Sequence, residues 1–285
     1  MELAPRSSAS VSNKYSGRRT PPAWAAMKGH KEVVKLLLGR KDVATDTPDH
    51  DQRTPLGWAA TNGHKGVVEL LLKAEGVNPG RRDVYDSTPL TWAACNGHEE
   101  VVRLLLEGKG VNPVECDMQG RTPIMLAALI GHEGVVRVLM ELEGIDLNGG
   151  GICGEMPLQY AAMRGNEAIV RLLLEREHVG RDIPDSFSRT PLMWAAHAGH
   201  VGVVEILLGK KDVDPGKRDR RGQTALMFAA EQGHLGMVRL LLGRENVDPD
   251  ISVYAGSTPL SLATRNQHFG IVGLLQAYKP AGPGI

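Results

Sequence analysis

Apolar residues in this chain fall into two short blocks that alternate. The first is Leu56-Gly57-Trp58-Ala59-Ala60, in which Leu56, Ala59, Ala60 and then Gly63 follow i, i+3, i+4, i+7, the spacing of one face of a helix. The face is narrow and built from small residues, so the spacing predicts a short helix that lies close to its neighbours. The second block, Val67-Val68 and Leu70-Leu71-Leu72, makes a wide stripe, as on a helix covered from two sides. Thr54 stands where an N-cap is needed and Pro55 at the first helical position, where its missing N–H costs nothing. Gly63 closes the first helix as a C′ residue. The second opens near His64 and ends before Pro79, which cannot continue it. Lys65 and Glu69 are left on the water side. The segment from Asp83 to Ser87 reads as a turn leading to the next Thr88, and Asp117 to Gly120 and Asp219 to Gly222 have the same turn chemistry.

This unit recurs along the chain. Copies start at Thr20, Thr54, Thr88, Thr122, Met156, Thr190, Thr224 and Thr258, each 34 residues after the last, with no insertion or deletion. A unit of this size cannot bury a core alone, so neighbours must stack, and the product is an extended surface rather than a pocket. The predicted class is all-α dominated, with paired antiparallel helices and hairpin-like finger loops. The array is expected over residues 17–278, between a disordered N-terminal tail at 1–16 and a C-terminal tail at 279–285.

The order Thr-Pro-Leu, Ala-Ala, Gly-His, Val-Val, Leu-Leu-Leu resembles the ankyrin repeat, and the resemblance spans Gly17 to about Tyr278. It implies a solenoid that binds another protein across its concave face and finger tips. The Thr-Pro-Leu-x-Trp-Ala-Ala wording is similar to that of ankyrin arrays in filamentous fungi. There the array often follows a nucleotide-binding receptor-like module, so the alternative implied function is the ligand-sensing part of such a receptor. Two departures stand out. The period is one residue longer than the commonest ankyrin repeat. The histidine usual after Thr-Pro-Leu is replaced by Ala23, Gly57, Thr91, Met125, Gln159, Met193, Met227 and Ser261, which puts that histidine's hydrogen bonds in doubt.

Lysine plus arginine and aspartate plus glutamate balance at 33 each, which argues against nucleic acid as a partner. The one dense basic run, Lys217 to Arg221, reads as a solvated loop. No apolar run approaches membrane-spanning length, so no membrane partner is expected, and the array is expected to be a monomer. Cys95, Cys116 and Cys153 share no ligand spacing, and Met1 to Tyr15 lack a signal-peptide stretch. Both fit an intracellular protein, cytoplasmic or nuclear. No nucleophile–base pair or phosphate loop appears, so an enzyme with its site in the groove is the remote reading, and no cofactor is expected. The histidines of the Gly-His pairs recur once in each copy but the fifth, too far apart for a shared metal, and are read as helix starts.

Two sets of positions remain for function. The column of Trp24, Trp58, Trp92 and Trp194, continued by Leu126, Tyr160, Phe228 and Leu262, forms either an aromatic ladder along the groove or a set of rings packed under neighbouring fingers. The finger tips and the residues before Gly-His vary between copies, and in copies 3 to 6 they are unusually apolar. Val84, Tyr85, Met118, Leu129, Ile130, Ile152 and Phe187 are the candidate partner-binding residues, with Tyr85, Ile130 and Phe187 as anchors. Copy 5 is expected to be the weak joint, because Met156 replaces the capping threonine, Asn166 replaces the histidine, and four glycines crowd Gly149 to Gly154.

Overall fold

A computed structural model describes residues 19–40, 42–253 and 256–278. The expected tails at 1–16 and 279–285 lie outside the described residues. Among those described there are 16 helices and no strand, the all-α repeat fold the sequence predicts. The chain forms two compact units, Met1–Met118 and Gln119–Ile285.

In the first unit the helices are α1 (Pro21–Met27), α2 (Lys31–Leu38), α3 (Pro55–Thr61), α4 (Lys65–Leu72), α5 (Pro89–Cys95) and α6 (Glu99–Leu106). The first helices of the copies, α1, α3 and α5, pack in single file, and so do the second helices α2, α4 and α6. The second unit repeats this in α7 (Pro123–Ile130), α9 (Pro157–Arg164), α11 (Pro191–Ala198), α13 (Ala225–Gln232) and α15 (Pro259–Arg265). Behind them run α8 (Glu133–Met140), α10 (Glu167–Leu174), α12 (Val201–Leu208), α14 (Leu235–Leu242) and α16 (Phe269–Ala277). The core of each unit lies between its two files. It is made by the alanine pairs of the first helices and by residues such as Val67, Val68 and Leu71 of the second, all buried. Alanine at these places lets neighbouring first helices approach closely without losing rotamer freedom.

Threonine Oγ1 accepts the N3 amide in most first helices, for example from Gly57 at 3.1 Å and Thr91 at 3.2 Å. Copy 5, expected to be the weak joint, keeps one half of a helix-start box. Gln159 Oε1 accepts the Met156 amide at 2.8 Å, while its Nε2 donates to the carbonyls of Ile183 and Arg189. Thr91 and Ser261 bond back to their N-cap amides in the same way. So three of the residues replacing the usual histidine still fix the helix start.

The Gly-His pair works across copies, not within one. The glycine takes φ near +70°, as at Gly29 and Gly63. A Cβ added there would come within 2.6 Å of His64 and 2.5 Å of His98, the histidines of the following copy. His64 Nε2 donates to the carbonyl of Met27 at 3.0 Å and His98 Nε2 to that of Thr61 at 3.0 Å. A carbonyl can only accept, so these rings carry their proton on Nε2. His200, His234 and His268 repeat the contact in the second unit, and Asn166 reproduces it with its side-chain amide to Ala128.

Candidate partner-binding face

Each finger is a tight turn closed by its own aspartate. Asp83 Oδ1 accepts the amides of Tyr85 and Ser87 at 2.9 and 3.0 Å, and the Asp83 amide donates to the Ser87 carbonyl. Asp49, Asp185 and Asp219 organise their fingers identically. Neighbouring tips are then joined by one backbone bond each. Val84 donates to Asp51 and Met118 to Tyr85 in the first unit. Ile152 donates to Gln119, Ser186 to Cys153 and Arg220 to Phe187 in the second. The tips are therefore held in register, and the side chains they carry are presented at fixed spacing.

The other carboxylate oxygen of the finger aspartate receives the tryptophan of its own copy. Trp58 Nε1 donates to Asp49 and Trp92 Nε1 to Asp83, both at 2.8 Å, and Trp194 to Asp185 at 3.2 Å. Between the rings lie arginines from the position just before the capping threonine. The Arg19 guanidinium sits 5.1 Å from the Trp24 ring and 4.3 Å from Trp58, and Arg53 sits 4.5 Å from Trp58 and 4.1 Å from Trp92. Arg53 is buried and pairs with Asp83 at 3.0 Å. The first unit thus holds an alternating stack, Trp24, Arg19, Trp58, Arg53, Trp92, which Tyr85 closes edge-on at 6.4 Å. In the second unit Arg189 lies 3.9 Å from Trp194 and 4.8 Å from Phe187. Both sequence readings of the column hold in part. The rings form a ladder, but it is filled by arginine and tied to the fingers, and Trp58, Trp92 and Trp194 are half-buried. The arginine column was missed from sequence. Its signal is an arginine one residue before Thr20, Thr54 and Thr190, with tryptophan five residues on.

Of the seven candidate residues, Val84, Tyr85 and Met118 of the first unit are exposed, as are Ile130, Ile152 and Phe187 of the second. Leu129 is half-buried. In other copies the residue in its column gives its own backbone carbonyl to the next histidine, and the following column, that of Ile130, is exposed in all copies but the sixth. Among the described residues no helix is long and apolar enough to cross a membrane, and no cluster of three metal-ligating side chains occurs.

No curated protein matches the chain. The family model for ankyrin repeats (three copies) matches it four times in succession, over residues 2–83, 75–151, 147–219 and 209–282. Units of this kind are generally protein-binding scaffolds without catalytic chemistry, and by these matches, which cover nearly its whole length, the chain belongs to the ankyrin-repeat family.

Proposed function

We propose that the chain binds a partner protein through its finger side. Val84, Tyr85 and Met118 supply apolar contacts in one unit, and Ile130, Ile152 and Phe187, flanked by Leu129, supply them in the other. The observation that carries this reading is the pairing of exposure with rigidity. Tyr85 and Phe187 are 47% and 46% exposed, yet each sits on a finger whose amides are bound to an aspartate and whose tip is bonded to the next finger. Large rings presented without loss of backbone freedom on binding are the groups from which interface hot spots are made. The balanced charge favours protein over nucleic acid, and the chain acts as a monomer that carries no reaction of its own.

A photo-crosslinking amino acid placed at Tyr85 or Phe187 is expected to capture the partner in extract, while the same group at Phe269, also exposed, captures none. With the captured protein in hand, Tyr85→Ala or Phe187→Ala should weaken binding by about tenfold or more at nearly unchanged melting temperature. Equal capture from Phe269, or full affinity in both alanine variants, would remove the finger side as the binding face.

A further inference from the structure

The ladder chemistry is interrupted at copy 8. Where copies 2, 3 and 6 place a finger aspartate and a tryptophan, copy 8 has Val253 and Leu262. Leu262 is buried against Met227 and Ile251, with Val253 alongside. The shorter side chain leaves space, and no carboxylate stands at the finger position. A cavity of about 430 Å³ opens there, lined by Arg220, Arg221, Arg265 and Glu231 above Val253 and Leu262. A second cavity of about 350 Å³ continues from Val253 past Arg218 and Asp219. Elsewhere on this face Arg53 is committed to Asp83 and Arg189 to Asp185. Here Arg265 reaches only Ser257 at 3.3 Å. The guanidiniums of Arg220 and Arg221 have no partner among the described residues. Asp219 Oδ1 accepts the amides of Arg221 and Gln223, and its carboxylate lines the second cavity beside Arg218. Across the two cavities four guanidiniums, Arg218 with these three, therefore face two carboxylates, Glu231 and Asp219, over a part-apolar floor.

We propose that this cavity takes the acidic side chains, carboxylate or phosphate, of a peptide segment, with Arg220, Arg221 and Arg265 as donors. A planar guanidinium matches either group through two parallel hydrogen bonds. An apolar floor in place of the finger aspartate leaves that charge to be neutralised from outside. A nucleic acid fits less well. The nearby Phe228 ring is buried and met edge-on by His197 at 5.7 Å, so among the described residues lining the cavity no free ring is offered for a base to stack on. This site is separate from the apolar positions above and does not rest on that reading.

The test is fluorescence polarisation on the whole chain with a labelled octapeptide of alternating glutamate and glycine, and with a version carrying phosphoserine in place of two glutamates. Saturable, salt-sensitive binding of either peptide is expected, and the stronger of the two identifies the preferred acid. Arg220→Ser with Arg221→Ser should weaken it by about tenfold or more. Val253→Asp should do the same by supplying an internal carboxylate. It restores the residue that copies 2, 3 and 6 carry at this place, so its melting temperature should stay near that of the parent. Arg137→Ser with Arg171→Ser removes the same charge from the outer helices and should leave binding unchanged. The proposal is overturned if neither peptide saturates, if the outer-helix pair loses as much affinity as the cavity pair, or if a single-stranded octathymidylate binds more tightly than both peptides.

Discussion

Arg53→Ala tests whether the stacked arginines hold the first unit together or merely decorate it. The side chain is 9% exposed and its partner Asp83 2%, so the pair is dry. Removing one member of a buried pair costs about 3–5 kcal/mol when the other is left uncompensated. Asp83 would keep the Trp92 Nε1–H and the amides of Tyr85 and Ser87, which places the electrostatic loss at the low end of that range or below. Two ring contacts at 4.5 and 4.1 Å add about 0.5–1 kcal/mol each. The expected total is about 3 kcal/mol. Arg53→Lys keeps the charge but loses the planar stack and the two-point contact with Asp83, and should cost about 1–2 kcal/mol. The comparison is Arg137→Ala, whose exposed pair with Glu133 at 2.6 Å should be worth about 0.5 kcal/mol or less. Urea unfolding followed by both tryptophan fluorescence and far-ultraviolet circular dichroism separates the cases. Trp24, Trp58 and Trp92 lie in the first unit and only Trp194 in the second, so the fluorescence transition should move further than the dichroism. If Arg53→Ala shifts the midpoint no more than Arg137→Ala, the stack contributes nothing and the reasoning is refuted.

Glycine-to-alanine changes should split in sign. Gly57→Ala, where the new Cβ would meet Arg53 Cγ at 2.8 Å, should lower stability by about 1–2 kcal/mol. Gly236→Ala, with open space around it, should raise it by about 0.5–1 kcal/mol in the same urea assay. Lysine at Leu36, which is 73% exposed, should be neutral within about 0.5 kcal/mol. At the equivalent Val138, 3% exposed, it should cost about 3 kcal/mol or more, read as a lowered melting temperature. Burial against its surroundings holds the His197 imidazole below its ordinary value. The unfolded chain then takes up a proton first as pH falls through the imidazole range, so stability is present above that range and declines below it. His197→Gln should flatten this decline in melting temperature between neutral and mildly acidic pH.

The helices and their limits were legible because each signal is local. Threonine and proline open the first helix, glycine closes it, and the apolar spacing distinguishes the two files. What stayed hidden are contacts that join one copy to the next. In a chain of near-identical copies, Gly63 and His64 stand side by side whether they touch or not. Only the stacking shows that His64 fills the space over Gly29. The same blindness hid the arginine column, since its position is serine, glutamate or glutamine in four other copies and, at Arg121, precedes a copy with leucine in place of tryptophan. At Met156 half of the local chemistry was hidden for a different reason. The loss of the threonine was visible, while the compensating Gln159 carbonyl lies three residues on, as the second half of a capping box. Exposure at the finger tips could be read from the turn. The difference between the half-buried column of Leu129 and the exposed column of Ile130 could not, because both precede the same glycine.

The conserved columns also show that the first and last copies are chemically unlike. Val33 is 45% exposed, whereas Val67, Val101, Val135, Ile169, Val203, Met237 and Ile271 in the same column are all at 1% or less. Ile271 belongs to the last copy and is still buried, so this position is covered by the copy before it and not by the copy after. Among the described residues copy 1 therefore leaves exposed the position that the other copies bury, together with Trp24 at 47% and Leu36 at 73% exposed. Copy 8 has changed the complementary surface. Gln267, at φ 61°, stands where all earlier copies have glycine, and at Gly29, Gly63, Gly165, Gly199 and Gly233 a Cβ would come within 2.7 Å of the next histidine. A Gly-His contact of the same geometry cannot be made on that side. The difference predicts that two molecules of this chain will not stack end to end through copy 8, even though apolar side chains of copy 1 are exposed among the described residues. Sedimentation equilibrium should return a monomer, and Gln267→Gly should be the substitution that introduces self-association; a head-to-tail dimer in the parent chain would show that the glycine column does not control stacking.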